Sequence, residues 1–189
     1  MEQRVIELFC MEIKKQCSFS ITAFKDIDIY LKKSDVERVW YSIHAFLTAT
    51  ANISKIFWPN QRDGREKSAE ELRKYLNIDN TSAFHNRTLR NHFEHFDDRL
   101  EQWALSNKTP FIDSNISGIN QPLIGNSNNR ESVRFYDPKT HIVYFMGEKY
   151  ELLPIYKEVC ELHKKTDKKI ATGSITNCSF QGKIVIRKK

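Results

Sequence analysis

No apolar run in this 189-residue chain approaches the roughly 20 residues that a membrane-spanning helix needs. The opening Met1-Glu2-Gln3-Arg4 is not followed by the hydrophobic stretch of a signal peptide. A cytoplasmic protein without a membrane partner is therefore expected. Cys10, Cys17, Cys160 and Cys178 contain no Cys-x-x-Cys pair and are too few for a disulfide framework, so they read as reduced thiols. A Gly-rich phosphate loop followed by Lys-Ser/Thr is missing, and so is a Gly-x-Ser-x-Gly elbow. Nucleotide hydrolysis and serine-hydrolase chemistry thus lose their sequence support. His85, His92, Glu94 and His95 are metal-ligating types, but a helical pair of ligands works best four residues apart. His92 and His95 stand three apart, and His-Phe-Glu-His is neither His-Glu-x-x-His nor its inverse. No metal and no cofactor are expected on that spacing. The chain carries no internal repeat.

What is present is the material for a core: 40% of residues are apolar and 12% aromatic, outside the range of disordered chains. The net charge of +6 has a location. Residues 160–189 hold eight basic side chains, Lys164, Lys165, Lys168 and Lys169 among them, against Glu161 and Asp167, so residues 1–159 are neutral overall. Lysines clustered in this way suit a phosphate backbone, and they equally suit an exposed helix end with a solubilising tail.

Periodicity predicts a mainly α fold, an antiparallel four-helix bundle with a C-terminal β-hairpin and an additional helix. The first helix is expected over Glu2–Leu31 with a break near Cys17–Ser20. Ser34-Asp35-Val36-Glu37 has the form of a capping box, with Ser34 as the cap of a second helix. Val36, Trp40, Ile43, Leu47 and Phe57 turn inward on that helix, which ends before Pro59. A short third helix runs from Ser68 through Leu76, and a fourth, capped by Asn80 or Thr81, runs to about Ser106. Residues 108–130, rich in Asn, Ser, Gly and Pro, read as a long surface loop separating the bundle (1–107) from a C-terminal extension (131–189). There, Ser132–Tyr136 and His141–Met146 form a hairpin around Asp137-Pro138. Leu152–Lys165 is helical with Pro154 tolerated in its first turn, and residues 179–186 are apolar enough for a strand.

Polar chemistry concentrates in Arg90-Asn91-His92-Phe93-Glu94-His95. On one helix, Leu89, Phe93, Phe96, Leu100 and Trp103 draw an apolar stripe, while Asn91 and His95 stand one turn apart and away from it. Arg90 lies on the opposite flank, within reach of a neighbouring helix. Arg90-Asn91-x-x-x-His95, late in an all-helical bundle, resembles the Arg-x(4–6)-His signature of HEPN domains, in which Asn often follows the Arg. The resemblance covers about residues 1–107 in pattern and only the short motif residue by residue. It implies a metal-independent endoribonuclease acting on single-stranded RNA, of the toxin, defence or RNA-processing kind. Arg90 would then bind the scissile phosphate and His95 would be the general acid or base at the ribose 2′-hydroxyl. It also implies a homodimer with a composite site, and an antitoxin or other inhibitor protein as a further partner. In HEPN toxins silenced by a nucleotidyltransferase a Tyr stands two residues after the His; this chain has Asp97.

Other Arg and His pairs fit the same spacing. His44, after Arg38, adjoins the apolar stripe of its helix and reads as a core-edge histidine. Arg134 and His141 flank Asp137-Pro138, so no single helix carries both. Arg87 and His92 share the expected motif helix and join Lys164 and Lys165 as candidate RNA-binding residues. Without a metal, the chemistry needs a proton exchanger near neutrality, which His95 supplies, a positioned group such as Asn91, and an arginine fork for phosphoryl oxygens. A rival from a different class is a HEPN-like dimeric module that binds RNA, a nucleotide or a protein without turnover.

Overall fold

The computed structural model describes residues 2–60, 64–86, 95–106, 113–119 and 132–171. Two long helices, α1 (Gln3–Leu31) and α2 (Val36–Phe57), are followed by a shorter α3 (Glu66–Leu76) and a single 3-10 turn at Ala83–His85. After α4 (Phe96–Ser106) come β1 (Asn115–Ile116), β2 (Arg134–Asp137), β3 (Ile142–Phe145), β4 (Glu148–Glu151) and α5 (Leu152–Ala171). The described residues are thus mainly helical with one small sheet, as the periodicity implied.

α1 is unbroken. Cys17 and Ser20, where a break was expected, are fully buried, and Ser18 and Ser20 donate their hydroxyls to the carbonyls of Lys14 and Gln16 one turn back. Serine's competing hydrogen bonds are thereby absorbed by the helix itself. The α2 cap falls one residue later than expected. Asp35 accepts from the Arg38 N–H at 3.1 Å, while Ser34 sits in the left-handed region at φ 53°. α3 closes on Asn77, likewise left-handed at φ 52°, a conformation asparagine tolerates at a helix end.

α1, α2 and α5 form an antiparallel three-helix core. Phe24 of α1 stacks on Tyr156 of α5 at 4.0 Å, Ser18 meets His163, and Lys14 meets Asp167, so α5 descends as α1 rises. Phe24 also meets Phe46 and Gln16 meets Asn52, which gives α2 the same sense. At one end Cys10, Ile13 and Cys17 pack with Ile53, Phe57, Leu72, Phe84, Val159 and Leu162. At the other, Phe24 and Ile27 pack with Ile43, Phe46 and Leu152 and with Tyr136 and Val143 of the sheet.

The sheet order is β1-β2-β3-β4, with β1 parallel to β2 and the rest antiparallel. The β2–β3 pair is the expected hairpin, extended on either side by β1 and β4. The bundle's composition differs from expectation. α5, assigned from sequence to an appended extension, supplies the third long helix, because its face of Leu152, Val159 and Leu162 is fully buried or nearly so. The expected motif helix does not begin at Asn80 or Thr81: Ala83–His85 is a 3-10 turn and Asn86 is extended. Asp79 instead accepts from the Thr81 N–H at 2.7 Å, a local turn that diverts the backbone from helix. α4 touches the core through Phe96, stacked on Phe145 at 5.7 Å, and also buries Trp103. The expected strand at 179–186 lies outside the described residues. No helix among the described residues is long and apolar enough to cross a membrane.

Candidate functional site

Of the expected catalytic residues, His95 is described; Arg90 and Asn91 lie outside the described residues, as do Arg87 and His92. His95 immediately precedes α4, and its carbonyl accepts the first helical bond from the Arg99 N–H at 3.1 Å. Its side chain is 63% exposed, with Nδ1 4.0 Å from the Asp98 carboxylate one turn on. The imidazole is therefore open to a large substrate and has a carboxylate beside it. Asp97 and Asp98 occupy the first turn of α4, where they complement the helix dipole. That same placement puts negative charge beside the imidazole, so a phosphate here requires a cation brought from elsewhere.

Lys164 is exposed on α5. Lys165, by contrast, donates to the Asn77 carbonyl at 3.1 Å, satisfying the C-terminal end of α3, and Lys169 lies over the Tyr75 ring at 4.4 Å. Part of the basic surplus of α5 therefore ties α3 to the core. Lys165 still borders an open depression of about 420 Å³ that Lys157, Glu158 and Asp79 share. Glu158 is committed there: its two oxygens accept from the Ser82 hydroxyl and the Ala83 N–H at 2.5 and 2.7 Å, which pins the 3-10 turn to α5.

Two arrangements escaped the sequence reading. Ser18 Oγ lies 3.1 Å from His163 Nε2, and His163 Nδ1 lies 3.4 Å from Asp167 Oδ2. That is the order of a nucleophile, base and orienting acid. The surroundings argue against catalysis. The Ser18 hydroxyl also donates to the Lys14 carbonyl at 3.0 Å, and Ser18 sits mid-helix in α1, where backbone N–H groups are spent on the helix and none can form an oxyanion hole. Asp167 is shared with Lys14 at 2.5 Å. The cluster is a polar clasp between α1 and α5. His163 and Asp167 are four apart on one helix and were legible as a pair, but nothing in the sequence brings Ser18 to them.

The second arrangement is a cavity of about 330 Å³ between α2, the 3-10 turn, β4 and the head of α5. Ala51, Phe84, Pro154 and Ile155 give it apolar walls, Asn86 stands at its rim, and Thr50 and Ser54 face it from α2. Ser54 is 4% exposed, and its hydroxyl has no hydrogen-bond partner. The other buried helical hydroxyls, Ser20, Ser42, Thr50 and Thr166, all donate to carbonyls of their own helices. Lys149 and Glu151 of β4 also line the cavity and neutralise each other at 2.7 Å. Asn86 and His95 are the described residues on either side of 87–94.

Burial dominates the shifts of Cys10, Cys17 and His44. Desolvation pushes the Cys10 thiol up to about 11 and the Cys17 thiol up to about 12, which suits inert structural cysteines. His44 is half buried, edge-on to Phe145 at 6.2 Å; burial first and then Arg134 hold its pKa below the usual value, partly opposed by Asp113. It is the core-edge histidine its stripe implied. Among the described residues, no three His, Cys, Asp or Glu side chains converge as metal ligands would. No family model, no curated protein and no solved structure matches this chain.

Proposed function

We propose that the chain is a metal-independent endoribonuclease of HEPN type that cleaves single-stranded RNA, with His95, Arg90 and Asn91 at its centre. The observation that carries the reading is His95. A histidine with its ring in solvent and a carboxylate 4.0 Å from Nδ1 can take the proton of a ribose 2′-hydroxyl or return one to the leaving 5′-oxygen. The 2′-oxygen then attacks phosphorus, the 5′-oxygen leaves with a proton, and the products are a 2′,3′-cyclic phosphate and a 5′-hydroxyl. Arg90 supplies the cation that Asp97 and Asp98 make necessary, its fork matching two phosphoryl oxygens. By the same resemblance, the working unit is a homodimer held in check by an inhibitor protein.

The test is incubation of purified protein with mixed tRNA and mRNA in excess chelator, beside His95→Ala, with the new ends mapped. Cleavage giving cyclic-phosphate ends, lost by at least about 100-fold in the variant, is the expected result. Equal cleavage by both proteins would remove His95 from the chemistry. No cleavage by either would leave the second reading, a HEPN-like module that binds without turnover, which the cavity beside Ser54 favours.

A further inference from the structure

We propose that the cavity between α2, the 3-10 turn, β4 and α5 binds one unstacked nucleobase, with the Ser54 hydroxyl as its interior hydrogen-bonding partner. The proposal deepens the ribonuclease reading and rests on it for the choice of RNA as the source of the base.

The first argument is the orphaned hydroxyl. A buried hydroxyl without a partner costs free energy, and a helical serine escapes that cost by donating to a carbonyl one turn back. Ser20 and Ser42 do so at 2.9 and 2.8 Å. Ser54 has the same option on the same kind of helix, yet its hydroxyl remains unpaired and the residue lines a cavity of about 330 Å³. That volume falls in the range of small-molecule sites. A ligand atom completes what the helix leaves open.

The second argument is the chemistry of the walls. Ala51, Phe84 and Ile155 present apolar surface, which suits the faces of a flat ring. The Ser54 hydroxyl can both donate and accept, as the mixed edge of a base demands. Lys149 and Glu151 cancel at the mouth, so the lining offers no surplus charge to a free phosphate, a carboxylate or an ammonium ion. The lining therefore fits a neutral heterocycle with apolar faces and one polar edge. Single-stranded RNA is read in this way, by splayed bases held in pockets and hydrogen-bonded along their edges.

The experiment is calorimetric titration of the full chain with adenosine, guanosine, cytidine and uridine separately, none of which has a phosphate to cut. Ser54→Ala and Ala83→Leu are compared with wild type after circular dichroism has checked the fold. Saturable binding of at least one nucleoside is expected, weakened about 2- to 10-fold in Ser54→Ala and lost in Ala83→Leu, whose side chain occupies the cavity. Should Ala83→Leu fail to fold, Ser54→Ala decides alone, because it deletes a group that bonds to nothing in the protein. Absence of binding to all four nucleosides at millimolar concentration overturns the proposal, and so does binding that Ser54→Ala leaves unchanged. Nucleoside binding without RNA cleavage keeps the pocket and sinks the nuclease; cleavage without nucleoside binding does the reverse.

Discussion

On the side of α5 that faces α1, Ser18, His163, Asp167 and Lys14 satisfy one another within 3.4 Å, whereas on the side that faces α2 and β4 a serine of equal chemistry is buried and bonded to nothing. The two serines teach what a triad-like geometry alone does not. Ser18 has a histidine and an acid but no oxyanion donors on its helix, so its network is spent on holding two helices in register. Ser54 has a cavity and no partner, so its bonding capacity is left for something else. A satisfied polar cluster is architecture, and an unsatisfied buried group beside open volume is the better pointer to a ligand.

Packing offers the largest effect with which to break that comparison. Ile13 is completely buried among Cys10, Cys17, Phe57 and Leu162 at the close-packed end of the core. Ile155 is partly buried and borders the cavity. Truncation leaves a new void at the first and only enlarges an existing one at the second. Ile13→Ala is expected to cost about 3 to 4 kcal/mol and Ile155→Ala less than about half of that, read as the shift in urea midpoint at constant slope. Equal losses would mean that the cavity side is as tightly packed as the other.

Next in size is the clasp. Ser18→Ala leaves His163 Nε2 without its 3.1 Å partner, and the expected loss is about 1 kcal/mol. Asp167→Asn weakens two contacts whose side chains are 38% and 46% exposed for Lys14 and Asp167, so solvent and salt screen it and less than about 1 kcal/mol is expected. If Ser18→Ala proved neutral in thermal unfolding while Asp167→Asn proved costly, the histidine's acid partner, not its serine, would be what holds α1 to α5.

A third expectation concerns proton linkage at the sheet end. His44 has a folded pKa below the ordinary 6.5, chiefly through burial. Above about 6.5 it is neutral in both states and contributes no slope. As pH falls below that value the unfolded chain takes up the proton first, so stability declines until the folded-state pKa is passed. Replacing His44 with Gln should flatten the decline in unfolding midpoint as pH falls below about 6.5. A slope unchanged in the variant would assign it to other groups.

The helices of the core were legible because their apolar spacing was dense: Trp40, Ile43, Leu47 and Phe57 are all buried where α2 placed them. The hairpin was legible from β-prone runs around Asp137-Pro138. α5 was legible as a helix but not as a core helix, since Lys164, Lys165, Lys168 and Lys169 drew attention to its charged face and away from Leu152, Val159 and Leu162. The start of the motif helix was misplaced because residues 80–86 carry good capping types, and capping types also make turns; Asp79 settled that contest through a local turn and Glu158 through tertiary contacts. Neither the clasp nor the cavity was readable, because each joins residues far apart in sequence. The serines themselves carry no mark that separates one that back-bonds from one that does not.

The smallest effect is the sharpest for the comparison. Ser54→Ala removes a hydroxyl that is desolvated in the folded protein and hydrated in the unfolded chain, while breaking no bond. The folded state gains by losing an uncompensated polar atom, and the van der Waals volume lost is that of one oxygen beside an existing cavity. Thermal unfolding should therefore show no loss of stability, and a gain of up to about 1 kcal/mol is expected. Ser42 provides the control in the same helix. Its hydroxyl donates to the Arg38 carbonyl at 2.8 Å, so Ser42→Ala deletes a bond together with the group. If Ser54→Ala were the more destabilising of the two, its hydroxyl would have a partner within the protein after all, and the contrast with Ser18 would collapse.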